Sequence, residues 1–198
     1  SADARASGLG EQGVATTPDA FSQHWNPSKY VFSNNFSGVG ISYTPYLSKL
    51  VSDVFLANIN YYKVINERSS WSTSFKYFSL GDIDIIQNPQ DIPILENPNE
   101  FTLDASYSLK LSDYFAMAVT GRFLMSDVKL QSVDSDSDSA SSFAVDISGF
   151  YQSDEQAFKN FNGILRAGFN LSNLGPRMKY EELGKKNFIP TNLKFGVA

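Results

Sequence analysis

The stretch 101–111, FTLDASYSLKL, constrains this chain more than any other. Phe101, Leu103, Ala105, Tyr107, Leu109 and Leu111 occupy its odd positions; Thr102, Asp104, Ser106, Ser108 and Lys110 occupy its even ones. Successive side chains of a β-strand point to opposite faces, so this strand is apolar on one side and polar on the other. In a water-soluble sheet such a division separates core from solvent. Repeated in strands of about ten residues with aromatics on the apolar face, it separates lipid from a wet lumen. At roughly 3.3 Å per residue and a tilt near 45°, the stretch is long enough to cross a hydrophobic band of about 25 Å.

The alternation recurs from Ser37 onward. Val39, Ile41 and Tyr43 alternate with Gly38, Gly40 and Ser42, and Pro45 ends that strand. Phe55, Ala57, Ile59 and Tyr61 then oppose Asn58, Asn60 and Tyr62, and Trp71, Thr73, Phe75 and Tyr77 oppose Ser72, Ser74 and Lys76. After 101–111, Phe115, Met117, Val119, Gly121, Phe123 and Met125 face away from Ala116, Ala118, Thr120, Arg122 and Ser126. Phe143, Val145, Ile147, Gly149 and Tyr151 oppose Ala144, Asp146 and Ser148, and Leu165, Ala167, Phe169 and Leu171 oppose Arg166, Gly168 and Asn170. Leu193, Phe195 and Val197 close the series. The pattern predicts about eight antiparallel strands. The inward Arg122 and Asp146 fall on adjacent strands, where they can pair. A turn is expected at 66–69 and another at 112–114, with loops at 80–100, 127–142, 152–161 and 172–190. Prolines 89, 93 and 98 make 80–100 an irregular connection, because proline cannot sit inside a central strand. The loops 80–100, 127–142 and 172–190 fall on one side, in keeping with barrels that have short turns at one end and long loops at the other.

Composition narrows the classes. No apolar run approaches the ~18 residues of a spanning helix, and mean hydropathy is -0.23, so a helical membrane protein is excluded. Sixteen Phe and ten Tyr suit either aromatic girdles or a β-sandwich core, and the strand length decides for a barrel. A net charge of -5 without a basic cluster gives no footing for nucleic acid as a partner. The absence of cysteine removes disulfides, thiol nucleophiles and thiolate metal sites together.

Residues 1–36 differ from the rest. They lack sustained alternation and hold the chain's one histidine, His24. Gly8-Leu9-Gly10-Glu11-Gln12-Gly13 matches the letters of a dinucleotide fingerprint, but no strand precedes it, 14–18 is a poor helix, and 30–36 holds no acidic residue. The expectation there is a tight glycine-rich turn that packs closely. Phe21, Trp25, Tyr30, Val31 and Phe32 are too apolar for a solvated tail and need a place to pack. Asp19, five residues from His24, suits no catalytic geometry, so His24 is expected to be packed or hydrogen-bonded. Asp134, Asp136 and Asp138 space their carboxylates as a calcium loop does at its first ligands, but Ser139 and Val145 stand where the glycine and terminal glutamate belong. A solvated, strongly negative loop tip is expected instead. No nucleophile with a base, no paired acid and base and no phosphate loop stands out; the chain reads as a non-enzyme without cofactor or metal.

Asp3-Ala4-Arg5-Ala6-Ser7-Gly8-Leu9-Gly10, Gly13-Val14-Ala15, Pro18-Asp19-Ala20 and His24-Trp25-Asn26-Pro27 resemble the start of FadL-like outer-membrane proteins. Together with Ser172-Asn173-Leu174-Gly175-Pro176 and Phe188-Ile189-Pro190-Thr191-Asn192-Leu193, they look most like the PorV family of the type IX secretion system. Ser28 departs from the alanine usual after Asn-Pro in the broader family. The resemblance implies an all-β, antiparallel transmembrane barrel of FadL type in the bacterial outer membrane, with fourteen strands in full and about eight here. It implies a plug segment at 1–36, with Arg5, Asp19, His24, Trp25, Asn26 and Pro27 in the lumen, ahead of barrel strands at 37–198. The chain is therefore expected to be incomplete at its C-terminal end; eight strands closed on themselves would leave almost no room for the leader. The implied function is to bind secreted cargo by its C-terminal signal domain and carry it from the translocon to the attachment complex. Asp134, Asp136 and Asp138 are candidate cargo-loop residues. The alternative is a transporter of small hydrophobic molecules, which needs an apolar lumen pocket where the inward residues read here as polar. Lipopolysaccharide deacylation is a distant third, since no catalytic set accompanies it.

Overall fold

The computed structural model describes residues 3–51, 53–86, 93–127, 139–157, 159, 161–178 and 187–198. The described residues form ten strands: β1 (Ser37–Pro45), β2 (Val54–Asn66), β3 (Ser69–Leu80), β4 (Ile83–Ile85), β5 (Ile94–Glu96), β6 (Asn99–Lys110), β7 (Phe115–Asp127), β8 (Ala140–Ala157), β9 (Asn162–Leu174) and β10 (Asn192–Val197). Eight of them form one antiparallel sheet in the order β1-β2-β3-β6-β7-β8-β9-β10, curled into a half barrel. Each strand pairs with its sequence neighbour apart from the small β4-β5 hairpin, which lies in the connection between β3 and β6. The sheet is open, with β1 and β10 as its two edges. No helix among the described residues is long and apolar enough to cross a membrane, a test that says nothing about strands.

The burial of the sheet is inverted relative to a soluble protein. On β6, Leu103 and Tyr107 are exposed at 50% and 52%, while Asp104 and Ser108 between and beside them are at 0%. The same holds on β2, where Ile59 is exposed between buried Asn58 and Asn60, and on β7, where Val119 is exposed beside buried Ala118 and Thr120. The faces assigned from alternation are therefore the faces observed, with the apolar one outside and the polar one inside. Outer aromatics fall into two rows. Near one end, Tyr43, Phe55 and Tyr77 approach at 5.2 and 6.0 Å, and Phe75, Phe101, Phe123 and Phe143 continue across the next strands at 5.1 to 6.1 Å. Near the other, Tyr61 meets Trp71 at 5.2 Å and Tyr114 meets Tyr151 at 6.5 Å. Phe143 and Tyr151, eight residues apart on β8, place the rows about 26 Å apart along a strand.

Connections 46–53, 81–98, 128–139 and 175–191 leave the sheet at the end carrying the Tyr43–Phe143 row, and the shorter ones at the other end. Two sequence expectations need correction. The connection 80–100 is not wholly irregular, because Ile83–Ile85 pairs with Ile94–Glu96, with Pro93 just outside the hairpin and Pro98 just before β6. The loop expected at 152–161 is mostly strand: β8 runs to Ala157 and β9 begins at Asn162. Gln152, Ser153, Asp154, Glu155 and Gln156 are polar on both faces and so carry no alternation to read. A bulge separates the pairs Gln152–Arg166 and Glu155–Ile164, and within it the Leu165 amide donates to Ser153 Oγ at 3.0 Å.

Candidate functional site

Residues 3–36 lie against the inner face of the sheet. Asp3 caps the short helix α1 (Ala4–Gly8) by accepting from the amides of Arg5 and Ala6, and its other oxygen accepts from Trp25 Nε1 at 3.0 Å. Gly10 and Glu11 turn the chain in the left-handed region, φ 75° and 64°. Gly13 then passes so close to Trp25 that a Cβ there would fall 2.1 Å from the indole Cγ. The expected tight, close-packing glycine segment is present. α2 (Ser22–Trp25) leads through Asn26 into a 3-10 helix, Pro27–Phe32, which packs on β2, β3, β6, β7 and β8.

The plug residues named from the sequence do different things. Arg5 pairs with Asp19 at 3.2 Å near the surface, and Asp19 also accepts from the amide of Phe21 and the hydroxyl of Ser22. Asn26, fully buried, is extended at φ -167° as a residue before proline must be, and its Oδ1 accepts from the Ser28 amide. Its Nδ2 donates to Val14 O at 3.0 Å and across to Gly149 O on β8 at 2.9 Å. Gly168 on β9 admits this amide, since a Cβ there would lie 2.9 Å from Asn26 Nδ2 and 2.7 Å from Val14 O. The carbonyl of Trp25 accepts from Asn170 Nδ2 at 2.8 Å, and that of Pro27 from Ser108 Oγ at 2.9 Å. His24 stands edge-on to Trp25, its Nδ1 sealed from solvent. Burial first, then the positive fields of Lys76, Lys194 and Arg122, hold its pKa well below the ordinary imidazole value.

Three further contributors escaped the sequence reading. Lys29 is fully buried and donates to Gly13 O at 2.7 Å and Thr16 Oγ1 at 3.3 Å; burial lowers its pKa to about 8. Gln23 bridges β6 and β3, donating to Ser106 Oγ at 2.7 Å and accepting from Ser72 Oγ. Both are polar residues, and nothing in their spacing marks them for burial. The third is Asn173, at the loop end of β9.

Above the leader lies a charged cluster spanning β3 to β8. The expected pair forms, Arg122 Nη2 to Asp146 Oδ2 at 2.9 Å, but Arg122 also grips Asp104 at 2.7 Å and Lys76 reaches the same carboxylate at 3.4 Å. With Asp104 and Asp146 buried, these two cations are the compensation that lets the carboxylates stay out of water. Toward the loops the inner face changes character, contrary to the expectation that inward residues are polar throughout. Leu56, Phe78 and Leu124 point inward there and, with Met178, Ile189 and Pro190, line a cavity of 560 Å³ floored by Lys76 and Arg122. Asp134, Asp136 and Asp138 lie outside the described residues.

The family described as "Type IX secretion system protein PorV" matches residues 1–198, the whole chain. The chain belongs to the PorV family. It is accordingly a component of the type IX secretion system, built on a β-barrel-like wall with no helical span among its described residues. No curated protein matches it.

Proposed function

We propose that the chain belongs to an outer-membrane β-barrel of FadL type, fourteen strands in full, whose lumen is plugged by residues 1–36. In this reading it binds secreted cargo by a C-terminal signal domain and carries it from the translocon to the surface attachment complex, without catalysing a reaction. The observation that carries the membrane part is the inverted burial of the sheet, with Leu103, Tyr107, Val119 and Phe143 exposed over a polar, covered inner face. Two aromatic rows on that outer face suit the two boundaries of a bilayer. Recognition is assigned to the end where connections 46–53, 81–98, 128–139 and 175–191 gather, because loops vary without disturbing the wall. The partners are translocon and attachment-complex proteins, signal domains and outer-membrane lipid, with no nucleic acid and no cofactor.

Pull-down of an isolated signal domain by the full-length barrel, and by versions with 128–139 or 175–191 shortened, tests this directly. Loss of capture with the barrel still folded is the expected result. A parallel long-chain fatty acid binding assay addresses the transporter alternative, for which the apolar part of the loop-end cavity is the one favourable feature. Fatty acid bound and signal domain ignored would overturn the shuttle.

A further inference from the structure

Asn173 links the charge cluster to the returning end of connection 175–191. It adopts the left-handed region, φ 63°, where asparagine is tolerated better than most residues. On the inner side its amide donates to Asp146 Oδ1 at 2.7 Å, and its Oδ1 accepts from Arg122 Nη1. On the loop side its Nδ2 donates to Pro190 O at 2.9 Å, and its carbonyl accepts from Thr191 Oγ1 at 3.1 Å. Every hydrogen-bonding group of this residue is thus engaged, half with the charge cluster and half with the returning end of connection 175–191. Just beyond, Met178 and Asn187 exchange amide-to-carbonyl bonds of 2.8 Å that close the neck of the same connection, and buried Ile189 seats in the loop-end cavity.

We propose that Asn173 is a positioning residue for partner recognition: it fixes the neck of connection 175–191, residues 175–178 and 187–191, against the Arg122–Asp146 pair, so that the partner meets a neck already in place. This rests on the reading that the long loops receive the partner. The requirement is specific. Glycine keeps the backbone conformation but removes both side-chain links. Aspartate keeps an acceptor for Arg122 but sets a carboxylate against Pro190 O, where a donor is needed. Thr191→Val removes one strap from the loop side and leaves the charge cluster untouched. A neck already in place spares the ordering entropy of those residues that a partner would otherwise have to offset on binding.

The test uses the full-length protein in detergent or nanodiscs. Asn173→Gly is expected to speed hydrogen exchange at the Met178 and Asn187 amides roughly tenfold, the size set by losing one or two net hydrogen bonds. Amides of the β6–β7 ladder serve as the folding control and stay unchanged. Asn173→Asp and Thr191→Val give smaller increases, and each variant loses signal-domain capture in the same order. Unchanged exchange at the neck in both Asn173→Gly and Thr191→Val would overturn the positioning role. Faster exchange with full capture would leave the positioning standing and overturn this loop's part in recognition, whereas capture lost on shortening 128–139 alone would move recognition there.

Discussion

At the scale of single residues, the leader is held by buried amides and cations rather than by a large apolar core. Asn26→Ala removes donors from two buried carbonyls, Val14 O and Gly149 O, and should weaken leader docking by about 1–3 kcal/mol. Protease resistance of residues 1–36 in the assembled protein measures it. His24 gives the docking a pH dependence whose sign follows from the direction of its shift. A free imidazole takes up a proton near 6.5 while the docked one resists until well below that. The His24 contribution to docking is therefore fully present above about pH 6.5 and is lost as pH falls below it. His24→Gln should flatten the acid limb of a pH series of leader proteolysis, leaving the values above pH 7 unchanged. Lys29 acts in the same direction at the alkaline end, so docking should strengthen as pH rises from about 8 toward the ordinary lysine range. The sequence showed that Trp25, Tyr30 and Val31 need cover, because their apolarity is visible in one dimension. It did not show that Lys29 or Gln23 share that cover, because their partners are a carbonyl sixteen residues away and hydroxyls on two distant strands.

At the scale of elements, the wall was legible wherever one face was apolar and the other polar. All eight strands of the sheet, their facing and the shared inner face of Arg122 and Asp146 follow from a period of two, while the register that brings those two together does not. Legibility failed where the period carries no contrast, as in 152–156, where both faces are polar, and at the loop end, where Leu56, Phe78 and Leu124 make the inner face apolar. It also failed at Thr120. Alternation points this residue inward, but only the structure shows it buried beneath the leader, exchanging a hydrogen bond with the Ser106 hydroxyl that serves Gln23. Charge is thus costly on both faces of β7 for different reasons. Val119→Lys should destabilise the protein in bilayers by roughly 2–4 kcal/mol through lipid exposure. Thr120→Lys should instead release the leader to protease. Reversible unfolding from vesicles separates the two, since only the first variant lowers the stability of a protein already lacking residues 1–36.

For the molecule as a whole, the leader packs against the inner face of the half barrel, and on the plug reading proposed above its removal should change permeability more than assembly. Deleting residues 1–36 is expected to raise single-channel conductance in planar bilayers while heat-modifiable migration of the folded barrel persists. Conductance equal to that of the intact protein would remove the plug reading. The bonds that seat this segment also dictate when it can settle. Gln23 reaches Ser106 across 83 residues, Asn26 reaches Gly149 across 123, and Trp25 meets Asn170 across 145. None of these partners exists until β6, β8 and β9 have been synthesised and laid side by side, and contacts of such separation close late because the intervening chain must first lose its freedom. This segment is made before those strands yet is seated only after them, and it has to be kept from straying, or from aggregating through Trp25, Tyr30 and Phe32, for as long as they take to assemble.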